Sequence, residues 1–195
     1  MSSLNLLVPD LLVIGYRNGF FPMGDPETGD INWHRPDPRA IIPLDGVRVS
    51  SSLRATLRKG RYSITINTSF HDVMTACADR PDCWITPSVI DAYTELHHLG
   101  LAHSVESWHN GYLVGGLYGV ALGGAFFGES MFSRMNDASK VSFVALVERL
   151  RERGFSLLDT QYINAFTASL GATEIPDATY QHLLQSCVDD DVSFV

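Results

Sequence analysis

Residues 114–140 read VGGLYGVALGGAFFGESMFSRMNDASK, and the organisation of the chain follows outward from this stretch. No charged residue occurs between Gly111 and Gly128, and seven of those eighteen positions are glycine. A membrane span needs about 20 predominantly apolar residues, but glycine at this density destabilises a helix. Asn-Gly at 110–111 and Gly-Gly at 123–124 are turn signals. The stretch therefore predicts buried strands that fold back on one another, over residues 102–108, 112–122 and 125–129.

The flanking segments predict a mixture of helices and strands. Apolar residues at helical spacing precede Gly154, a residue type that commonly ends helices, and predict a helix over residues 138–153. Residues 20–38, rich in Pro, Gly, Asp and aromatic side chains, predict a loop held by its aromatics. Further helices are predicted over residues 9–18, 51–59, 70–77, 87–98 and 176–187, and further extended segments over 40–43, 47–49, 62–66 and 155–159. This order of elements is that of an α+β fold.

The composition limits the classes of protein to which the chain can belong. Its 195 residues are 45% hydrophobic and 18% charged, as in one or two soluble globular domains. Three cysteines without a framework spacing, and no basic segment before the first apolar residues, predict a reducing, cytosolic setting. The net charge of −8 argues against a general nucleic-acid binder.

One segment departs from this acidic character. Residues 46–71 contain no acid and five basic residues, Arg48, Arg54, Arg58, Lys59 and Arg61, which we call the basic strip. From charge alone the basic strip is either a solvated helix face or a local contact with a phosphate backbone.

The end of the opening stretch also carries a family resemblance. GESMFSR at 128–134, followed by DASK at 137–140, resembles the signature of the bacterial leucyl/phenylalanyl-tRNA–protein transferases. The resemblance covers about residues 16–180, in one order and with compatible spacing, through GFFP at 19–22, PDPRA at 36–40, WITP at 84–87, LHHLGLAHSVE at 96–106, LLDTQ at 157–161 and ASLGA at 168–172. Several segments in register are more specific than any single short motif.

The resemblance implies a fold and a division of the chain. We expect an α+β fold with an acyl-CoA N-acyltransferase-like mixed sheet and flanking helices, plus a small N-terminal α+β lobe. The N-terminal lobe, which is shorter than is common in the family, is expected over residues 1–61. The N-acyltransferase-like catalytic domain is expected over residues 62–195.

The resemblance also implies a reaction. A cytoplasmic aminoacyltransferase would move Leu or Phe, with Met as a further candidate, from aminoacyl-tRNA to the N-terminal α-amine of proteins that begin with Lys or Arg. The product would be marked for N-degron-dependent proteolysis, and the enzyme would act as a monomer without a membrane. An aminoacyl ester is already activated, so the chemistry needs no cofactor and no covalent nucleophile. The enzyme must position the amine, accept a proton and stabilise an oxyanion.

Three polar residues are the candidate catalytic groups. Asp159 follows an apolar strand, where a carboxylate is costly unless it is hydrogen-bonded, and otherwise it would simply cap the next turn. Gln161 lies two residues on, and so on the same face if the chain stays extended. The family resemblance implicates this Asp-x-Gln pair in catalysis. Glu129, expected to end its strand, is a candidate for binding a cationic acceptor or the amine, or for a structural cap.

The resemblance maps two binding regions onto the chain. The pocket for the transferred side chain corresponds to Leu117, Phe143, Leu146, Leu150 and Leu158, which without the resemblance would be read as core. The residues expected to contact tRNA are Tyr16, Met23, Trp84 and Tyr93 near the terminal adenosine, and Arg54, Arg58, Lys59 and Arg61 of the basic strip. Met23 stands where the best-studied form of the family has Trp.

Other functions are weighed on the same residues. An acetyl-CoA-dependent N-acetyltransferase would need a Gly-rich pyrophosphate loop, whereas the segment MFSRMNDAS before the 138–153 helix has no glycine. A non-catalytic tRNA-binding protein would keep the basic strip without needing Asp159. The cluster of His97, His98, His103, Glu106 and His109 fits no zinc spacing, so no metal is expected.

Overall fold

The fold combines short strands and helices along the whole chain. The computed structural model describes residues 7–195. Within them the strands are β1 (Phe21–Gly24), β2 (Ile31–His34), β3 (Arg39–Ile41), β4 (Ser63–Ile66), β5 (Ala102–His109), β6 (Tyr112–Leu122), β7 (Ala125–Ser133), β8 (Leu157–Gln161) and β9 (Thr173–Ile175). The helices are α1 (Pro9–Arg17), α2 (Ser51–Arg58), α3 (Phe70–Ala78), α4 (Pro87–His98), α5 (Ala138–Arg153), α6 (Ala165–Ser169) and α7 (Asp177–Cys187).

A seven-stranded mixed sheet forms the centre of the molecule. Its strands lie in the order β4-β5-β6-β7-β8-β3-β9. The pair β7–β8 is parallel, and the other neighbours are antiparallel. The predicted fold class, an α+β fold with a mixed sheet and flanking helices, is confirmed. Among residues 7–195, no helix is long and apolar enough to cross a membrane.

Each face of this sheet is covered by its own apolar core. On one face, α5 packs Phe143 and Leu146 against Leu117 of β6. On the other face, α3 and α4 pack against Tyr118, which follows Leu117 and therefore points to the opposite side. Because both faces of β6 are buried, its sequence is continuously apolar and does not alternate.

The strands predicted from the opening stretch are present, with one difference. β5 and β6 match their predicted ranges to within a residue, and Asn110 and Gly111 form the turn between them with φ of 52° and 80°. β7 runs on to Ser133, so the expectation that Glu129 ends its strand is wrong. The reason is that β6 continues to offer backbone partners, as far as the pair Gly115–Ser133, and this ladder extends β7 through polar residues.

The helix predictions are confirmed, whereas several short elements differ from expectation. Residues 20–38 contain the antiparallel hairpin β1–β2 in place of a plain loop. Residues 47–49 form no strand, and α6 and β9 were not predicted. β3 inserts between β8 and β9 of the large sheet, so a strand from the expected N-terminal lobe contributes to the central sheet. The division of the chain at residue 61 stays a prediction.

Candidate active site

The site lies where two neighbouring strands of the central sheet separate. β7 and β8 pair only over residues 125–127 and 157–159. Beyond these residues β7 stays with β6, while β8 turns to β3, where Gln161 faces Ala40. The sheet therefore opens between Gly128 and Thr160, and side chains from both faces reach this opening.

A β-bulge places Glu129 at the opening. Along the β6–β7 ladder, Gly119 faces Gly128 and Tyr118 faces Ser130, which leaves Glu129 as an inserted residue without a partner on β6. A bulge bends its strand and redirects the inserted side chain. Glu129 is consequently aimed towards β8, although it lies in the middle of a long strand.

Three side chains hold the Glu129 carboxylate. Its Oε1 accepts hydrogen bonds from the Tyr16 hydroxyl at 2.7 Å and from Gln161 Nε2 at 2.8 Å. The Tyr93 hydroxyl contacts Tyr16 and donates to Glu129 Oε2 at 3.5 Å. Burial raises the pKa of Glu129 to about 7, with Asp159 acting in the same direction, against the hydrogen bonds from Tyr16 and Gln161. A carboxyl group with this pKa exchanges protons readily near neutral pH.

Gln161 adopts an unusual backbone conformation to reach Glu129. Its φ is 60°, in the left-handed region that residues other than glycine rarely occupy. The chain thus does not stay extended from Asp159 to Gln161, as the sequence interpretation assumed. The two residues are joined instead by a hydrogen bond from the Gln161 backbone N–H to Asp159 Oδ1, at 2.8 Å. Strained conformations of this kind concentrate at functional sites.

Asp159 is fully buried in an ion pair with Arg39. Arg39 Nη2 donates to Asp159 Oδ2 at 2.7 Å, and Arg39 Nε donates to Oδ1 at 3.0 Å. The Tyr180 hydroxyl donates to Oδ2 at 2.7 Å. With the Gln161 N–H, both carboxylate oxygens are therefore occupied by donors. A carboxylate held in this way is well placed to fix its neighbours.

Arg39 was missed as a functional candidate by the sequence interpretation. It is fully buried, donates from Nη1 to the Gly19 carbonyl at 2.9 Å, and lies over the rings of Phe21 and Tyr180. The segment PDPRA contained a usable signal, because its Arg precedes an apolar segment and can be buried with it. A buried arginine requires a paired carboxylate. The partner Asp159 is 120 residues away in the sequence, and only folding identifies it.

A cavity of about 290 Å³ extends from the Glu129–Gln161 pair to both faces of the sheet. Its apolar end lies under α5 and is lined by Leu117, Phe143, Leu146 and Leu158. Leu150, predicted for the same pocket, does not line the cavity and is fully buried in the core beneath it. Four of the five predicted pocket residues are thus brought together, while the role of all five stays a prediction.

The opposite end of the cavity carries aromatic and polar side chains. Met23, Trp84, Tyr118 and Arg80 line it, of which Tyr118 and Arg80 were not among the sequence candidates. Tyr16 and Tyr93, expected near a terminal adenosine, are fully buried and have no ring face open for stacking. Their contribution to the site is the set of hydroxyl groups around Glu129.

The remaining sequence candidates lie away from the cavity. Arg54, Arg58, Lys59 and Arg61 are exposed on α2 and in the turn after it, and none of them lines the cavity. His97 stacks on Phe70, and His103 stacks on Phe194. Glu106 accepts hydrogen bonds from Thr65, Thr68, Ser69 and Ser104. Within the described part of the chain, no group of three or more His, Cys, Asp or Glu residues could hold a metal ion.

Comparison with known proteins places these residues in a family context. The family model "Leucyl/phenylalanyl-tRNA protein transferase" matches residues 41–185, and the model of its N-terminal domain matches residues 6–37. A leucyl/phenylalanyl-tRNA–protein transferase of Salinibacter ruber is 52% identical over 94% of this chain and 81% of that protein. The protein of the same name from Herpetosiphon aurantiacus is 53% identical over 96% of this chain and 98% of that protein.

A search of solved structures found more distant similarity. The C-terminal domain of a putative lysylphosphatidylglycerol synthetase from Agrobacterium fabrum is 14% identical, with a TM-score of 0.48. The aligned region covers 87% of this chain and 64% of that one.

Proposed function

The chain belongs to the leucyl/phenylalanyl-tRNA–protein transferase family and is an aminoacyltransferase acting on protein N-termini, and on this premise we propose how its site works. The cavity between β7 and β8 receives the aminoacyl end of a charged tRNA. The observation that carries this assignment is the continuity of the cavity, which joins an apolar pocket to the Glu129–Gln161 pair. Its volume of about 290 Å³ suits one amino-acid residue and its ester, because pockets for larger ligands run from roughly 300 to 1,000 Å³.

The apolar end of the cavity binds the transferred side chain. Leu117, Phe143, Leu146 and Leu158 present only hydrocarbon to the space. A Leu or Phe side chain gains transfer free energy there, at about 25 cal/mol per Å² of apolar surface buried. Met, which is flexible and apolar, fits the same pocket as a weaker substrate. A charged or polar side chain would lose its hydration without finding a partner.

Transfer replaces an ester bond with an amide bond. The neutral α-amine of the acceptor attacks the ester carbonyl, a C–N bond forms, the C–O bond to the ribose breaks, and the amine proton leaves while the ribose oxygen gains one. Glu129 is the candidate proton acceptor, since its pKa of about 7 lies close to the ordinary pKa of an α-amine, near 8. Gln161 orients the Glu129 carboxylate through its side-chain amide.

Asp159 acts as a positioning residue in this scheme. Asp159 is fully buried, does not line the cavity, and already accepts from Arg39, Tyr180 and the Gln161 backbone, so a role as the proton acceptor is not favoured. The ion pair with Arg39 fixes Asp159, and Asp159 fixes the left-handed turn at Gln161. The proposed site thus keeps Asp159, Gln161 and Glu129, with the proton-accepting role moved from Asp159 to Glu129.

The acceptor protein and the tRNA body bind outside this cavity. A carboxylate at the cavity wall favours an acceptor that carries positive charge, which supports acceptors beginning with Lys or Arg. The exposed cations Arg54, Arg58, Lys59 and Arg61 are available to contact the phosphate backbone of tRNA. We further propose that the protein acts as a monomer in the cytoplasm and marks its products for N-degron-dependent proteolysis.

One assay tests the proposed function. Purified protein is incubated with radiolabelled leucyl-tRNA and an acceptor protein beginning with Lys, with the Nα-acetylated acceptor and an acceptor beginning with Glu as matched controls. We expect label on the free α-amine of the Lys acceptor and none on the blocked one. Binding of tRNA without transfer would indicate a non-catalytic protein. Acetyl transfer from acetyl-CoA, which the family membership does not favour, would indicate the other enzyme class.

A further inference from the structure

Tyr118 occupies a fixed position beside the bulge. It lies on β6 opposite Ser130 and is fully buried. Its ring meets Phe70 at 77° and Tyr93 at 84°, with centroids 5.9 and 5.8 Å apart. These edge-to-face contacts, together with burial, hold the ring in one orientation. The position of the phenol oxygen is therefore set before any ligand arrives.

The hydroxyl group of Tyr118 has no protein partner. Within residues 7–195, it is the one buried side-chain nitrogen or oxygen atom for which no hydrogen bond is found. The other buried tyrosines around the site differ, since Tyr16 donates to Glu129 and Tyr180 donates to Asp159, each at 2.7 Å. Leaving a polar group buried and unpaired costs roughly 1–3 kcal/mol. An exception of this kind calls for a functional explanation.

The residue that carries this unpaired hydroxyl group belongs to the wall of the cavity. Tyr118 lines the cavity on the face of the sheet where Tyr93 and Trp84 lie, next to Glu129. Burial raises the pKa of Tyr118 well above its ordinary value, and the nearby Glu129 acts in the same direction. The phenol is consequently neutral throughout the working pH range, and its unpaired O–H is a donor without an acceptor in the protein.

The chemistry of the neighbouring groups narrows what this donor can bind. Glu129 presents carboxylate oxygens, which suit an amine or ammonium group, and the amide of Gln161 is already engaged by Glu129. A neutral O–H matches an uncharged oxygen. We propose that the Tyr118 hydroxyl donates a hydrogen bond to an uncharged oxygen of the bound substrates, either at the ester–ribose end of the aminoacyl donor or at the first peptide carbonyl of the acceptor. This inference rests on the proposed function of the same cavity.

Tyr118→Phe tests the inference because it removes one oxygen and keeps the ring. Tyr62→Phe is the matched control, since the Tyr62 hydroxyl donates to the Asn136 carbonyl at 2.7 Å and does not line the cavity. We expect Tyr118→Phe to melt at or above the wild-type temperature, because an unpaired hydroxyl is removed. Tyr62→Phe should melt slightly lower and keep wild-type kinetics.

Steady-state kinetics then identify the oxygen. The donor is the phenylalanyl ester of adenosine, and the acceptor is a short peptide beginning with Lys. We expect Tyr118→Phe to lose about 3- to 10-fold in kcat/KM, the range for one neutral hydrogen bond. A higher KM for the adenosine ester locates the oxygen on the ester or ribose, and a higher KM for the peptide locates it on the acceptor. A lower kcat at unchanged KM locates it on the ester carbonyl oxygen, which is uncharged in the bound donor and gains negative charge only in the transition state.

Two results would overturn the inference. Kinetic parameters of Tyr118→Phe within about 1.5-fold of wild type would mean that the hydroxyl does not contact the substrates. A melting temperature lowered as much as in Tyr62→Phe would mean that the hydroxyl has a partner within the protein. Wild-type protein assayed in parallel distinguishes failure of this inference from failure of the proposed function, because absence of any transfer by wild type counts against the proposed function itself.

Discussion

The buried Arg39–Asp159 pair permits a double-mutant cycle that separates positioning from proton transfer. Both side chains are fully buried, so Asp159→Asn leaves the Arg39 charge without a counter-charge. Removing one partner of a buried ion pair costs about 3–5 kcal/mol. For a chain of this size, each 1 kcal/mol lowers the melting temperature by about 2–4 °C. We therefore expect Asp159→Asn to melt about 6–20 °C below wild type.

The cycle is completed by the single variant Arg39→Met and by the double variant Arg39→Met/Asp159→Asn, which removes both charges. We expect the double variant to be more stable than Asp159→Asn alone, because no uncompensated charge remains. The Asn oxygen can still accept from the Gln161 backbone N–H, and its Nδ2 can donate to the Tyr180 hydroxyl oxygen. The single-turnover rate of the double variant per folded molecule should fall by less than about 10-fold if Asp159 only positions Gln161. A proton-accepting Asp159 predicts a fall of about 10²–10⁴.

Thermal melts and single-turnover transfer from leucyl-tRNA are measured on the same preparations. A melting temperature of Asp159→Asn within about 3 °C of wild type would contradict the buried-pair energetics. Additive destabilisation in the double variant would show that the two charges do not interact. A rate loss of about 10³ in a stable double variant would return the proton-accepting role to Asp159.

Three further perturbations test the other parts of the site. Between pH 4.5 and about 7 the folded protein binds more protons at Glu129 than the unfolded chain, so its unfolding free energy falls as pH rises, while the transfer rate should rise as Glu129 loses its proton. Glu129→Gln should remove both dependences, and an unchanged pH profile in this variant would argue against Glu129 as the proton acceptor. Leu146→Trp should obstruct the cavity and raise KM for Phe-tRNA more than for Leu-tRNA, whereas Leu150→Trp should lower stability with no such selectivity. Equal losses on both tRNAs in a folded Leu146→Trp protein would mean that Leu146 belongs only to the core. Removing Arg58 and Lys59 should weaken tRNA binding and reduce the slope of log affinity against log salt by about 1.5–2, and a slope equal to wild type would exclude the basic strip.

The larger elements of the fold were predictable from local sequence. The unbroken apolar composition of residues 112–122 indicates a strand buried on both faces, and β6 occupies those residues. Ser50 caps α2 by accepting from the Leu53 N–H, and Gly154 ends α5 with φ of 83°. These signals depend on residues within one or two turns of each other, so a single sequence is enough to reveal them.

Short elements could not be predicted in this way. β1, β9 and α6 have three to five residues each, too few to show a hydrophobic period. β3 overlaps the extended segment predicted over residues 40–43, but its place in the central sheet was not predicted, because its backbone partners β8 and β9 lie more than 100 residues further along the chain. Such pairing stabilises a strand that its own residues would not specify.

The candidate site was likewise predictable from the sequence only in part. The sequence indicated Asp159, Gln161 and Glu129 as the chemistry-bearing residues, through a carboxylate after an apolar strand and a resemblance of the surrounding motifs. The sequence could not assign a role to each of these residues. Only the tertiary structure buries Asp159 against Arg39 and places Glu129, at a bulge between diverging strands, beside a cavity. Residue type and order set which groups are available, but burial and long-range pairing set the charge, pKa and partners of each group, and these depend on the whole folded chain.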